Sequence, residues 1–317
     1  MLEPGLQAAL RQENRWWVYQ RERFPVLAHG PLVLAFSSSA VCFSHLLRGR
    51  TDWPAWSALA VAFVTCLMFF LGLRIADEFK DIGEDTQYRP YRPVPRGLVS
   101  LRELGWVGVG AAAIQLGLAV CLAPQLTVIL FGGWLYLALM SKEFFVRDWL
   151  KAHPVTYLWT HMFIMPIVDL YATACDWIPS GHGLPPAGLF WFLAASFCNG
   201  IVIELGRKIR APADEEKGVQ TYSFLWGRRI AVLAWLGIML TTATCAILAS
   251  RRIDFTIPVF AATGTIFIIA VVAGAGFLRS SRPGSGKRFE LLAGIWTLVL
   301  YLSLGVIPLA WRVLLHP

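Results

Sequence analysis

The stretch DEFKDIGED (residues 77–85) closes an apolar segment and runs into RPYRPVPRG (residues 89–97). Asp77, Asp81 and Asp85 are four residues apart, so a helix would stack their carboxylates along one face. Like charges at this spacing destabilise a helix unless a ligand compensates them, and a divalent cation such as Mg²⁺ would do so. Magnesium held by a few carboxylates usually shares its remaining positions with water and phosphate. The sequence therefore predicts a diphosphate site at a membrane surface.

The acidic face has an alternative interpretation. Three aspartates just past a membrane span could form a solvated helix end. Aspartate is a poor helix former, however, and three at this spacing work against a helix that has no ligand, which favours the metal site. Glu78 and Glu84 lie off the main face, and we expect them to be solvated or paired with Lys80 or Arg89.

The run after the aspartates repeats arginine and proline. Arg89, Arg92 and Arg96 could simply mark the cytoplasmic side of the membrane. Guanidinium groups bind phosphate through two parallel hydrogen bonds, and the prolines limit how the loop rearranges. We therefore interpret this loop as an anion-binding loop in which Arg92 is the strongest candidate and Arg96 the second.

The composition indicates an integral membrane protein. Hydrophobic residues make up 56% of the 317 residues, charged residues only 15%, and the mean hydropathy is +0.57; a water-soluble domain could hardly hide so much apolar surface. Because a helix needs about 20 residues to cross a bilayer, we predict an all-α protein with nine transmembrane helices, near 26–47, 55–74, 101–122, 125–141, 154–173, 187–206, 229–249, 256–278 and 289–311.

The basic residues indicate orientation. The net charge is +8, and lysine and arginine concentrate in the amino-terminal arm and in alternate loops, at 75–100, 142–151, 207–229 and 279–288. By the positive-inside tendency, we expect the amino terminus and the aspartate-rich loop to face the cytoplasm and the carboxyl terminus to lie outside. The expected location is the cytoplasmic membrane. The positive charge reflects this topology and an anionic partner, and we expect no nucleic acid as a partner.

The chain divides into an arm, 1–25, and a single transmembrane domain, 26–317. The arm is rich in arginine and tryptophan, and we expect an interfacial amphipathic helix with Trp16, Trp17 and Tyr19 near the headgroups. The six cysteines are scattered without metal or redox spacing, so we interpret them as small hydrophobic residues.

A second charged loop follows the sixth predicted span and mingles carboxylates with basic residues. This composition suits a second lobe around the same polyanion. Glu204 and Lys208 share a helical face and could form only an internal ion pair. An ionisable residue at the end of a span is nevertheless a functional candidate by default, and Arg210 lies in the same loop.

Polar and aromatic residues around the fifth predicted span allow two interpretations. In the simpler one, the basic residues reach the interface and the aromatic residues pack against neighbouring helices. In the other, Lys142 reaches the diphosphate while Tyr157 and other aromatic rings stabilise a developing allylic cation. His161 is a candidate for substrate binding, although a packed histidine is commoner than a base. Asp169, inside the span, needs a partner.

The first motif resembles that of the UbiA superfamily of intramembrane prenyltransferases, and the resemblance extends over essentially the whole chain. That motif is usually Asn-x3-Asp-x3-Asp followed by Arg-Pro-x-Pro-x-Gly. Asp81, Asp85 and RPVPRG (residues 92–97) match it, while Asp77 replaces the asparagine. The resemblance implies nine helices around a central cavity that faces the cytoplasm.

The second motif is less faithful. The family usually has Asp-x3-Asp ahead of Gly-x-x-Thr. GVQT (residues 218–221) fits the second part and places Asp214 at the second aspartate, but Arg210 stands where the first is expected. A magnesium site there loses one carboxylate unless Glu204 or Glu215 substitutes for it.

The resemblance implies Mg²⁺ as cofactor and a prenyl diphosphate and a lipophilic acceptor as partners within the bilayer. The predicted metal ligands are Asp77, Asp81, Asp85, Asp214 and Glu204. The predicted catalytic residues are Asp81, Asp85, Arg92 and Lys142, and the predicted substrate-binding residues are Arg96, Lys208, Arg210, Tyr157 and His161.

Three other functions are compatible with a chain of this kind. The altered second motif mildly favours a membrane terpene cyclase, in which the substrate's own double bond captures the cation. A transporter would use intramembrane charges as an ion path, but here the charged clusters fall at helix ends. A structural subunit would have no use for three stacked aspartates. Base rates favour prenyl transfer to an aromatic or other lipophilic acceptor.

Overall fold

The computed structural model describes residues 13–216, 218–280 and 282–315. Within these ranges the chain is helical and forms no β-strand. The α-helices are α1 (Arg15–Arg23), α2 (Val26–Leu47), α3 (Trp56–Tyr88), α4 (Leu101–Leu122), α5 (Leu126–Ser141), α6 (Arg147–Ala152), α7 (Pro154–Met162), α8 (Ile164–Trp177), α9 (Leu189–Arg207), α10 (Tyr222–Trp226), α11 (Arg228–Ser250), α12 (Thr256–Arg279), α13 (Lys287–Leu304) and α14 (Val306–Leu315).

Eight helical segments of the described residues are long and apolar enough to cross a membrane. The fourth predicted span, 125–141, is not among these eight; it corresponds to α5, which has 16 residues and is therefore only about 24 Å long. That length is less than the roughly 30 Å of a bilayer's hydrocarbon core. The prediction of an all-α, multi-pass membrane protein is confirmed, whereas the count of nine is not.

Helix α3 is much longer than its predicted span. It has 33 residues and is roughly 50 Å long, so its carboxyl-terminal part extends beyond a hydrocarbon core of about 30 Å. The acidic stretch 77–85 lies on this extension. The helix thus carries Asp77, Asp81 and Asp85 on a rigid element, at one end of the bundle.

Two predicted spans are interrupted for the same physical reason. Helix α7 ends at Met162 and α13 at Leu304. Pro166 and Pro308 lie four residues later, and proline has no N–H to donate to these carbonyls. At the second break the backbone also approaches α2 closely: a Cβ on Gly305 would lie 2.2 Å from the Ser39 carbonyl oxygen.

The charged loops meet at one end of the bundle, which we call the charged end: residues 77–100, 142–157, 204–216 and 218–223 with the turn 282–286. Contacts join these segments directly. Lys80 of α3 bonds to Tyr157 of α7, and Asp214 accepts hydrogen bonds from the backbone of Gly284. The loops that the sequence assigned to one side of the membrane therefore lie together.

Helix α1 packs on the charged end more closely than an interfacial helix would. Tyr19 is buried and packs with Ile75, Val99 and Leu104. Trp17, by contrast, is half exposed. The Tyr19 ring thus fills a gap between α3 and α4, and the expected position of α1 near the headgroups stays a prediction.

Candidate active site

Asp77 and Asp81 are the two most open carboxylates of the acidic face. The nearest cations to Asp77 are Arg74, at 3.5 Å, and Lys80, at 3.8 Å, and both distances exceed a hydrogen bond. Asp81 is partly buried and has no hydrogen bond or ion pair with any other described residue. The stacked spacing therefore presents two acceptor groups without close protein partners.

Asp85 is in a different environment. Its side chain is almost fully buried, Arg92 Nη1 donates to Oδ2 over 2.6 Å, and Arg89 Nε lies 3.1 Å from Oδ1. This ion pair folds the arginine–proline loop back onto α3. Asp85, predicted as a metal ligand and catalytic residue, anchors the loop in this structure, and it would reach a metal only after releasing Arg92.

Arg96 is directed toward α1. It donates to both carboxylate oxygens of Glu22, at 2.9 and 3.0 Å, and to the carbonyl of Tyr91 at 2.7 Å. Glu22 reaches this position because α1 packs against the charged end. The prediction that Arg96 binds substrate is thus not supported by its contacts, which tie the loop to the amino-terminal helix.

Lys80 is the cation that the structure brings to the acidic face. Its Nζ donates to Tyr157 Oη over 3.1 Å and lies 3.6 Å from Glu143 Oε1. It also lies 5.7 Å from the centre of the Tyr157 ring, within the range of a cation–π contact. Lys80 therefore joins the aspartates of α3 to the predicted site residue Tyr157.

Glu143 contacts both Lys80 and His161. Its Oε2 lies 3.3 Å from His161 Nε2, and the His161 ring stacks on Tyr157 with centroids 3.8 Å apart. Burial raises the pKa of Glu143, but His161 and Lys80 outweigh this effect and hold the pKa below its ordinary value. The carboxylate is therefore charged at neutral pH and keeps Lys80 in place.

The sequence did not reveal Glu143 or Lys80 as site residues. Glu143, Phe144 and Phe145 have φ values of 50°, 51° and 61°, a left-handed region that costs non-glycine residues energy. This turn directs Glu143 into the protein. The residue types in the turn do not predict such a conformation, so the sequence could not identify Glu143. Lys80 could have been identified, because it lies three residues after Asp77 and can pair with it on a helix.

Lys142, in contrast, is exposed at the carboxyl end of α5. Its side chain makes no hydrogen bond or ion pair within the described ranges. The left-handed turn that follows sends the next residue, Glu143, inward. Lys80 rather than Lys142 is consequently the lysine in contact with the predicted site.

The two glutamates of the acidic stretch have partners other than those predicted. Glu78 is buried and forms a short ion pair with Arg23 of α1. Glu84 pairs with Lys151 at 2.6 Å and, more loosely, with Arg147 at 3.5 Å. The sequence could not show this because the partners lie 55 and 67 positions away.

The second loop begins with an ion cluster at the end of α9. Glu204 pairs with Arg207 at 2.5 Å and with Lys208 at 2.8 Å. Lys208 also lies 5.7 Å from the ring centre of Tyr222. The cluster lies at the charged end of the bundle, where α3 also carries its aspartates.

The rest of the second loop is held by its own contacts. Arg210 pairs with Glu216 at 3.0 Å, and Thr221 Oγ1 donates to Glu215. Asp214 accepts from Gly284 N at 2.8 and 3.0 Å. The predicted metal ligands Asp214 and Glu204 are therefore both engaged with protein groups.

Magnesium fits the α3 face better than the second loop. Across the described residues, no three His, Cys, Asp or Glu side chains converge as a preformed metal site. Mg²⁺ commonly uses one or two carboxylates and takes its other ligands from water and substrate phosphate. Asp77 and Asp81 satisfy that smaller requirement.

Asp169, the carboxylate predicted to need a partner inside its span, forms a hydrogen bond with Tyr301. Tyr301 Oη of α13 donates to Asp169 Oδ2 over 2.7 Å, and both side chains are buried. The contact links α8 to α13 in the interior, away from the acidic face. We regard this pair as part of the packing between these helices.

Comparison with known proteins agrees with this architecture. A sequence model of the UbiA prenyltransferase family matches residues 37–299. The chain is also 25% identical, over 205 residues, to the digeranylgeranylglyceryl phosphate synthase of Methanopyrus kandleri; the match covers 64% of this chain and 69% of that protein.

Two solved structures share the fold. The apo structure of a UbiA homologue from Aeropyrum pernix has a TM-score of 0.65 at 14% identity, covering 86% of this chain and 96% of that chain. A UbiA homologue from Archaeoglobus fulgidus bound to DMAPP and Mg²⁺ has a TM-score of 0.54 at 11% identity, covering 90% and 98%. Because the family match covers most of the sequence and the fold agrees with it, the chain belongs to the UbiA prenyltransferase family.

Proposed function

We propose that this protein transfers the prenyl group of an allylic prenyl diphosphate to a lipophilic acceptor within the membrane, with Mg²⁺ as cofactor. The observation that carries the proposal is the pair of open carboxylates, Asp77 and Asp81, stacked at the end of a membrane helix beside Lys80. The homologue of the same fold that was solved with DMAPP and Mg²⁺ supports this choice of substrate class and metal.

The metal, when bound, would neutralise charge on the departing diphosphate, usually the largest electrostatic contribution to such a reaction. Asp77 and Asp81 are the residues that would hold it. Lys80 and Arg74 provide positive charge beside them, and Arg207 and Lys208 add positive charge at the end of α9. These side chains would bind the diphosphate head at the charged end of the bundle.

The apolar interior would receive the isoprenoid tail. Phe69 and Tyr171 pack edge to face in this interior, and Tyr157 and His161 stack where it meets the charged end. Aromatic faces stabilise cations and exclude water. The allylic carbon would thus lie near Tyr157, with its positive charge shielded from water until the acceptor attacks.

The chain's orientation is part of the proposal. Most of the basic loops lie at the charged end, although Arg48 and Arg50 lie at the opposite end. By the positive-inside tendency, we infer that the charged end, with the amino terminus, faces the cytoplasm. A prenyl diphosphate dissolved in the cytoplasm would then reach the charged end directly. Labelling of cysteines introduced one at a time at residues 87 and 183, on opposite ends, in a variant whose six native cysteines are replaced, tests this orientation.

The test of function is product analysis. The purified protein is incubated with Mg²⁺ and C10 to C20 prenyl diphosphates, with and without a lipid extract that contains aromatic and glycerol-type acceptors. Prenylated lipid that forms only with the extract supports the transferase. A cyclic hydrocarbon or terpene alcohol formed without any acceptor would instead identify a terpene cyclase, the alternative that the altered second motif favours.

Two variants on the same helix make the experiment specific. Asp81→Asn removes an open carboxylate and should abolish turnover. Glu84→Gln removes a carboxylate that pairs with Lys151 at the surface and should leave turnover near the level of the unaltered protein, because exposed ion pairs contribute little. Equal turnover in both variants would contradict the proposed site.

A further inference from the structure

The carboxylates of the second loop differ from Asp77 and Asp81 of α3 in one respect: each of them has a close protein partner. We propose that this chain holds its divalent cation through α3 alone, and that the second loop contributes positively charged side chains to the diphosphate and no second metal site. The inference rests on the proposed function, since it concerns how the same substrate head is bound.

Glu204 is the first carboxylate that could replace the missing aspartate. It is buried, and its two oxygens are taken separately: Oε2 by Arg207 at 2.5 Å and Oε1 by Lys208 at 2.8 Å. A metal ion would have to displace one of these cations. The displaced charge would then lie beside the metal, so the two would repel each other.

Asp214 is held by backbone rather than by charge. Both of its oxygens accept from Gly284 N, which fixes the turn 282–286 against the second loop. Gly284 has a φ of 76°, a conformation that favours glycine. The carboxylate therefore stabilises a turn that positions the start of α13, and binding a metal would remove that support.

Glu215 performs a similar local role. Thr221 Oγ1 donates to it over 2.7 Å and itself accepts from Phe224 N at the start of α10. The glutamate thereby orients the N-cap of a short helix. Glu215 is thus engaged in the geometry of the loop and is not an open ligand.

Arg210 makes a second metal ion still less favourable. Its guanidinium pairs with Glu216 at 3.0 Å and lies 3.4 Å from the carbonyl oxygen of Asp214. Its backbone N–H donates to Ser223 Oγ, which holds the residue in place. A permanent positive charge thus occupies the neighbourhood in which a second cation would sit, and guanidinium binds phosphate oxygens directly.

The α3 face has the opposite character. Asp81 lacks a close partner in the part of the chain that the structure describes, and the cations nearest Asp77 are at 3.5 and 3.8 Å. Arg207 and Lys208, at the end of α9, add positive charge at the same end of the bundle. One metal ion and a set of basic side chains would then neutralise the diphosphate between them.

The experiment counts bound metal with Mn²⁺ as the probe. Electron paramagnetic resonance titration of the full-length protein, in the presence of an unreactive prenyl thiolodiphosphate, gives the number of bound ions per chain without any turnover. We expect one Mn²⁺ per chain. The Asp214→Asn variant should also bind one, and the Asp81→Asn variant should bind none at the same concentrations.

The possible results separate the two proposals. Two bound ions, reduced to one by Asp214→Asn, would overturn the inference and leave the proposed function intact. No bound ion in the unaltered protein would overturn both, because the α3 site would then also be absent. Thermal unfolding of each variant shows whether it is folded. One bound ion in Asp214→Asn would support the inference even if the turn 282–286 is less stable in that variant.

Discussion

Replacing Asp81 with asparagine should separate activity from stability. Asp81 has an aspartate four residues before it and another four residues after it on α3. Each like-charge pair at this spacing costs about 0.2–0.5 kcal/mol, so removal of the central charge should stabilise the protein by about 0.4–1 kcal/mol. The same substitution removes one of the two open carboxylates of the proposed metal site.

The expected loss of activity is far larger than this gain. Removing a single preorganised electrostatic contact typically lowers kcat by about 10²–10³-fold, or 2.7–4 kcal/mol. The assay is release of diphosphate from a prenyl diphosphate in lipid nanodiscs, run beside thermal unfolding of the same sample. We expect a loss of at least a hundredfold with an unchanged or slightly higher Tm.

Asp85→Asn is the matched comparison. Its carboxylate is buried between Arg92 and Arg89, so neutralising it leaves two guanidinium groups without their anion. We expect a loss of stability of about 1–3 kcal/mol. If Asp81→Asn lost as much stability as Asp85→Asn, the description of Asp81 as an open ligand would be refuted, as it would by retained activity.

Other expected outcomes follow from the same contacts. Glu143→Gln removes the charge that lies 3.6 Å from Lys80 Nζ; we expect about a tenfold loss in kcat/KM for the prenyl diphosphate, or ~1.4 kcal/mol, and an unchanged value would show that Lys80 needs no such anchor. Asp176→Ala, at the opposite end of the bundle, leaves Arg48 without the carboxylate to which it donates at 2.6 and 3.0 Å. Because the pair is buried, unfolding measurements should show a loss of stability of about 3–5 kcal/mol. The turnover of the protein that remains folded should change little. A fall in turnover of the folded fraction would contradict the separation of this cluster from the site.

Much of the fold could be predicted because hydrophobicity and length dominate in a membrane. The predicted spans agree with helices of the structure to within a few residues at most ends. The interruptions after Met162 and Leu304 were missed, although Pro166 and Pro308 were visible in the sequence. Proline is tolerated inside membrane helices when neighbours satisfy the freed carbonyl, so its presence alone does not decide whether a helix continues.

The acidic site was only partly predictable, for a different reason. The spacing of Asp77, Asp81 and Asp85 determines that they share a face, but not which of them is free. That depends on Arg92, which returns to Asp85 through a loop whose path depends on packing against α1. A regular helical period therefore located the site, whereas its electrostatic state required tertiary contacts.

Glu143 shows the limit of local patterns. It enters the site through three consecutive residues with positive φ, a conformation with no sequence signature outside glycine and asparagine. The surrounding contacts with Lys80 and His161 compensate for its strain. The sequence analysis offered Lys142 as a candidate instead, because nothing in the sequence indicates the left-handed turn that directs the next residue, Glu143, inward.

Magnesium dependence tests the central claim most directly. The purified protein in nanodiscs, supplied with C10 to C20 prenyl diphosphates and the acceptor-containing lipid extract, is assayed for released diphosphate with Mg²⁺, after chelation with EDTA, and after Mg²⁺ is restored. The account predicts turnover that disappears on chelation, returns with the metal, and is lost in Asp81→Asn while Glu84→Gln retains it. Turnover that persists in EDTA, or in Asp81→Asn at the level of the unaltered protein, would contradict it.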